Sequence, residues 1–247
     1  MTVTFLHLFP QQLGLNGETG NLDCLVKRLQ WSGIEARVVV FDGSSSIPEN
    51  IDAVFIGSGT LAGALEALER LGDQQGRLRE LASEGVPFFA LGLGWEILGE
   101  SIQLLDGKLI TGSGIFPSRS VRTKERASAE CFGFDDFDNL TTGYANHSAE
   151  IELFEGVHPL IQLKAGFGNS SMSFAGLRPS EGLIAGNLMA SRLNGPLLPL
   201  NPHLADQFLD LVSKKSRFSY RQESKEAEKA DSYATRARIE LSQRLAR

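Results

Sequence analysis

The sequence predicts an α/β fold: a mostly parallel sheet covered by helices on both faces, with a C-terminal helical extension. Three observations carry that prediction. Over the first hundred residues short apolar runs alternate with helical patterns, and such alternation favours parallel strands joined by crossover helices. The runs are rich in Val, Ile and Phe and bounded by Gly, Pro or Ser, as strands are. With 247 residues, 42% of them apolar, the chain can bury one full core.

Thr2–Leu8, Glu35–Phe41, Ile51–Gly57 and Val86–Leu91 are the expected strands. Between them, Asn21–Ser32 and Leu61–Glu84 are expected helices; Leu61, Leu65 and Leu68 recur at i, i+4 and i+7 in the second, with Leu78 and Leu81 further on. The connection "HLFPQQLGLNGETGN" (7–21) is long for a compact domain, and such loops are usually functional. The plainer alternative is a surface loop with Thr19 or Asn21 capping the next helix. Residues 101–190 are glycine-rich, with short strand candidates Arg119–Thr123, Ala149–Phe154 and Leu183–Met189 added to the sheet in antiparallel fashion. A helix is expected from Leu204 to about Lys214, opened by Asn201 or Pro202. These elements form a domain over 1–213. The remaining 214–247 is a charged tail that suits a docked or solvated helix, with Ile239, Leu241 and Leu245 as its few apolar anchors.

Several functions are disfavoured. A net charge of −6 argues against a general nucleic-acid binder, which shows a basic face. No apolar run approaches the roughly 20 residues that span a bilayer, and the N-terminus lacks a basic segment and a cleavage site. No membrane insertion and a cytoplasmic location are expected. The two cysteines, Cys24 and Cys131, suit a reducing compartment. The four histidines show no metal-ligand spacing, so no metal and no cofactor is expected. His147 lies in a Gly/Asn-rich stretch and reads as a polar surface residue.

"FIGSGTLAG" (55–63) and "LGLGWEILG" (91–99) each follow a strand, and the carboxyl ends of strands line the ligand crevice of open α/β sheets. Alone, each is a weak signal, since a glycine after a strand is commonly only turn geometry. Neither a GxGxxG turn after the first strand nor a GxxxxGK[ST] loop is present.

Together these stretches resemble the class I (triad-type) glutamine amidotransferases of the CobB/CobQ-like group, whose fold is flavodoxin-like. The resemblance covers nearly the whole chain and is closest to the GatD-like subunits that partner a MurT-like, Mur-ligase-family protein in lipid II isoglutaminyl synthase. "HLFPQQLGLNGETGN" is similar to the family's His-Leu-Tyr-Pro opening and its Tyr-Gly-Asp-x-Gly-Asn, and "RLQWSGIEARV" (28–38) to the helix and strand that follow. "FIGSGT" stands at Gly-Gly-Gly-Gln-Asp, "GLGWEILG" at Cys-Gly-Gly-Tyr-Gln-Leu-Leu-Gly, and "GYANHS" (143–148) at Gly-Phe-Glu-Asn-His. "SRLNGPLLPLNPHLAD" (191–206) is similar to Tyr-Leu-His-Gly-Pro-Leu-Leu-Pro-x-Asn-Pro-x-Leu-Ala-Asp over an ungapped stretch.

The resemblance implies a glutaminase whose cysteine attacks the glutamine amide, with a histidine moving the proton and backbone N–H groups holding the oxyanion. It places Gly92 at the nucleophile and Asn194 at the histidine. Glycine offers no nucleophile, and a carboxamide accepts no proton near neutrality. Ser58 and Ser191 lie near the site loops, but a serine without an adjacent base is inert. The resemblance leaves Gly57, Ser58 and Gly59 to supply oxyanion N–H groups, Arg126 to hold a glutamine carboxylate, and Glu96 as a carboxylate where the family has glutamine; Glu96 is expected to disfavour an anionic intermediate. Three functions stay open: a glutaminase-deficient subunit retained for its partner, a stand-alone module binding glutamine or a related small molecule beside Glu96 and Trp95, and a residually active glutaminase.

Overall fold

The computed structural model describes residues 1–170 and 179–246. The chain opens on β1 (Thr2–Leu8), α1 (Thr19–Trp31), β2 (Glu35–Phe41) and β3 (Ala53–Ile56). α2 (Leu61–Leu71), α3 (Gln74–Ser83), β4 (Phe88–Leu91) and α4 (Gly92–Leu98) follow. The central region holds β5 (Ser101–Gln103), β6 (Leu109–Thr111), β7 (Ser118–Phe134), β8 (Leu140–Leu153), β9 (Ile161–Ala165) and β10 (Ser180–Glu181). β11 (Leu183–Ala185), β12 (Leu188–Ser191), α5 (Leu197–Leu200), α6 (Pro202–Ser216) and α7 (Lys225–Leu245) complete it.

The main sheet has the order β11-β12-β4-β3-β1-β2. Five of its strands are parallel and only the edge strand β11 runs antiparallel to its neighbour, as the alternating pattern predicts. Side chains alternate between two apolar layers because a strand repeats every two residues. Leu6, Leu8, Val54, Ile56, Phe88 and Ala90 pack with α2, α3 and α4 on one face. Val3, Phe5, Phe55, Phe89, Leu91 and Met189 pack with α1 and α6 on the other, where Phe89 and Phe208 have ring centroids 5.5 Å apart.

Four expectations are corrected. Leu61–Glu84 is two helices, because Gly72 adopts φ +46° between them, a conformation that ends a helix. Leu183–Met189 is two strands, turned at Gly186 (φ +59°) and Asn187, which sets β12 beside β4 in the main sheet with β11 outside it. The candidates at Arg119–Thr123 and Ala149–Phe154 are ends of one long hairpin, β7–β8, in a separate sheet of order β10-β9-β7-β5-β6. Neither Thr19 nor Asn21 caps α1. Glu18 is the N-cap residue, and the buried Asn21 carboxamide instead donates to the Glu18 and Gly195 carbonyls and accepts from Leu198 N–H at 2.7 Å.

That arrangement explains the polar residues of the 191–206 stretch. Asn201 is buried and exchanges hydrogen bonds with both backbone groups of Thr142, and Pro202 opens α6 at its first turn. Asn21 and Asn201 thus tether 195–201 to α1 and β8. The tail forms α7, begun by Ser224, whose hydroxyl accepts from Ala227 N–H. Its anchors are Ala227, Ala234 and Arg238, which are buried, whereas Ile239 is 45% exposed. Small side chains let the helix lie close, a signal that hydropathy alone misses. Among the described residues no helix is long and apolar enough to cross a membrane.

Candidate functional site

β4 passes into α4 with no intervening loop. The first helical residue, Gly92, has φ +46°, a left-handed conformation that costs a residue with a Cβ about 1–2 kcal/mol. A Cβ on Gly94 would lie 2.2 Å from the Gly57 carbonyl oxygen, and one on Gly59 would lie 2.0 Å from that of Gln12. Three turns, at 10–18, 57–60 and 92–94, therefore pack backbone on backbone at the carboxyl ends of β1, β3 and β4.

These turns form one wall of a cavity of about 330 Å³. Its lining includes Ser58, Gly59, Gly92, Glu96, Arg126 and Asn194, so the structure brings together most of the residues singled out from sequence. Gly57 is not in the lining; a Cβ there would face Leu13 and Glu18. Trp95 is fully buried and donates its indole N–H to the Ser118 hydroxyl at 2.9 Å, so it faces no ligand. The opposite wall comes from the hairpin, whose register shifts between Arg122 and Ala127. That bulge, a device common beside functional sites, sets Arg126 at the rim, where its Nε donates to the Asn146 side-chain oxygen at 2.6 Å.

At the elbow, Ser58 fills the space above Gly92. A Cβ built on Gly92 would lie 2.4 Å from Ser58 Oγ and 2.9 Å from its Cβ, with Asn194 Oδ1 at 3.9 Å. Ser58 Oγ accepts the N–H of Leu93, the residue after the bend, at 3.2 Å. The donor position that a nucleophile elbow offers to an oxyanion is thus taken by a hydroxyl of the chain itself. Asn194 is held by its Nδ2 donating to the Asn146 carbonyl at 3.1 Å. Cys24 and Cys131 do not line the cavity; burial pushes the Cys24 thiol up to about 12 and raises that of Cys131, which leaves both as poor nucleophiles.

Glu96 is 3% exposed and is not an unopposed negative charge. The Ser120 hydroxyl donates to it at 2.6 Å, Arg122 Nη1 lies 3.2 Å from one oxygen, and Arg192 Nη2 lies 3.8 Å from the other. The expectation that Glu96 repels an anion is corrected: two guanidinium groups neutralise it. Arg122 and Arg192 were missed because an isolated arginine carries no pattern; only the fold aims them at Glu96. His147 is also corrected, since it lines the cavity rather than the outer surface.

Burial sets an acid response. It lowers His7 and His203 to about 4, and it lowers His147 to about 3 with the help of Arg192 and Arg122. Below pH 6.5 the unfolded chain protonates these three while the folded chain keeps them neutral, so stability falls with pH through that window. Glu181 opposes them: burial raises it to about 7, so the folded chain takes up that proton first and is stabilised as pH falls from 7 towards 4.5. Three groups against one leave a net uptake of two protons on unfolding, a slope of up to about 2–3 kcal/mol per pH unit near pH 5–6. Urea unfolding at pH 7.5, 6 and 5 measures it, and a stability that rises on acidification contradicts it.

The flavodoxin-like layering and the crevice at the strand ends define a class I glutamine amidotransferase fold. Crystal structures agree with it. A glutamine amidotransferase matches with TM-score 0.56 and 18% identity, over 85% of this chain and 99% of that one. One from Thermotoga maritima matches with TM-score 0.51 and 11% identity, over 98% and 97%. The model of the CobB/CobQ-like glutamine amidotransferase domain matches residues 18–201, and the chain belongs to that family. It is also 24% identical over 214 residues to the GatD subunit of lipid II isoglutaminyl synthase (glutamine-hydrolyzing) from Staphylococcus aureus, covering 86% of this chain and 85% of that protein.

Proposed function

We propose that this chain is a GatD-like subunit of a lipid II isoglutaminyl synthase, acting in amidation of the peptidoglycan stem, and that it lacks glutaminase activity of its own. In this reading 1–213 is the amidotransferase domain and 214–247 its helical tail. The protein is cytoplasmic and pairs with a MurT-like, Mur-ligase-family subunit as a heterodimer. Similarity to GatD over most of both chains supports the pathway. The observation that carries the inactivity is Ser58: its side chain occupies the space above Gly92 and takes the Leu93 N–H, so the site lacks a nucleophile and the room for one. Asn194 in place of the histidine removes the base as well. Losing a covalent nucleophile costs on the order of six decades in rate.

Two measurements test this. Co-expression with a Mur-ligase-like protein is expected to yield a stable complex, and a monomer that ignores such a partner counts against the assignment. The purified chain is expected to release no ammonia from glutamine above the buffer rate. Turnover that disappears in Asn194→Ala would establish a residually active enzyme instead. A second reading, a stand-alone metabolite-binding protein, is favoured by the arginine-rich lining of the cavity.

A further inference from the structure

Arg192 is the anomaly of the cavity. Its side chain is 1% exposed, yet only Nη1 is hydrogen-bonded, to the carbonyls of Ala149 at 2.7 Å and Asn169 at 3.3 Å. Among the described residues, Nε and Nη2 are buried without a hydrogen-bond partner. The nearest carboxylate, Glu96, stands 3.8 Å from Nη2 and is already occupied by Ser120 and Arg122. Buried guanidinium donors are rarely left unpaired, because each has lost its water without replacement.

The charged side chains that line the cavity are mostly cationic. Among the described residues, Arg122, Arg126 and Arg192 line the cavity with Glu96 as the one carboxylate of that lining, an excess of two positive charges in the lining. Glu150 and Glu181 act on Arg192 electrostatically but do not line the cavity. Glu181 takes the backbone N–H of Arg192 and the Ser191 hydroxyl. Neutral groups complete the lining: His147, uncharged at neutral pH, and Ser148, whose hydroxyl can donate. A volume of about 330 Å³ admits a metabolite-sized ligand.

We propose that this cavity binds a small dianionic metabolite, a dicarboxylate or a phosphate monoester, with one anionic group against Arg192 and Arg122. The proposal does not rest on the partner or on the pathway assigned above. Guanidinium forks suit both anion classes, since each presents paired oxygens to paired N–H groups. A neutral carboxamide would leave the excess charge uncompensated, so the site favours the acid over the amide.

Isothermal titration of the purified chain with succinate and with inorganic phosphate, at fixed ionic strength, tests it and separates the two classes. Saturable one-to-one binding of either is expected, weakened at least about tenfold in Arg122→Gln and in Arg192→Gln, the usual scale for removing a charge-assisted contact. Circular dichroism establishes that each variant is folded. If Arg192→Gln does not fold, Arg122→Gln decides, because that side chain is 14% exposed. Absence of saturable binding by both probes, or unchanged affinity in Arg122→Gln, overturns the proposal. Loss of binding in Arg126→Ala with none in Arg122→Gln also overturns it, since that result places the anion at the rim.

Discussion

Gly92→Cys is expected to destabilise the chain by about 2–5 kcal/mol, and Ser58→Gly is expected to recover much of that loss. Two effects add in the single variant. A Cβ at φ +46° costs about 1–2 kcal/mol, and its overlap with Ser58, at 2.4 Å from Oγ, adds an overpacking penalty of about 1–3 kcal/mol. With Ser58→Gly only the backbone part remains. A double-mutant cycle by urea unfolding therefore gives a coupling of about 1–3 kcal/mol, whereas independent sites add within about 0.5 kcal/mol. Additive behaviour would show that Ser58 moves aside freely and is no obstruction.

The same contact ranks the variants for activity. Gly92→Cys with Asn194→His restores both reactive groups, yet Ser58 still holds the Leu93 N–H and the thiol has no room. That pair is expected to remain silent in an ammonia-release assay. Adding Ser58→Gly clears the thiol and frees the backbone donor, so the triple variant is the smallest set expected to hydrolyse glutamine. Glu96 does not prevent it, because Ser120 and Arg122 already hold that carboxylate, with the Arg192 guanidinium 3.8 Å away. Activity in the pair, or silence in a folded triple variant, contradicts this account.

The parts of the fold legible in the sequence are those fixed by local periodicity. The runs at Thr2–Leu8, Ala53–Ile56 and Phe88–Leu91 announce themselves as strands because they are short, mostly apolar and buried on both faces. The β7–β8 hairpin does not. Beyond its first residues it carries Lys124, Glu125 and Arg126, and its burial is irregular across the bulge, so only its ends look like strands. The candidate site divides the same way. Gly92, Ser58 and Asn194 are legible because motifs of the family frame them. Arg122 and Arg192 lie 70 residues apart, and their convergence on Glu96 is a product of topology that no local pattern encodes.

Arg28→Ala is expected to cost about 2–3 kcal/mol and to release α7. Arg28 lies in α1 with a side chain 2% exposed. Its Nε and Nη2 donate to the two oxygens of Asp206 at 2.7 and 2.6 Å, and its Nη1 and Nη2 to those of Asp231 at 2.7 and 3.1 Å. One planar fork thus joins α1, α6 and α7, and the Tyr220 hydroxyl closes on Asp206 at 2.5 Å. Removing the cation leaves two carboxylates facing each other, each about a third exposed, and stranding a buried partner costs about 3–5 kcal/mol before that exposure is discounted. Arg28→Lys is no rescue, because an ammonium point charge cannot serve two carboxylates bidentately. Asp231→Asn removes only the α7 half of the hub, so it is expected to expose the tail while leaving the melting of the main domain nearly unchanged. Limited trypsin digestion separates the two: cleavage after Lys225, Lys229 or Arg236 accelerates in both variants, whereas the urea midpoint falls steeply only in Arg28→Ala. If Arg28→Ala unfolds at the wild-type urea concentration and its tail resists trypsin, then α7 is held by Ala227, Ala234 and the Arg238 bond to the Leu200 carbonyl, and the fork is dispensable.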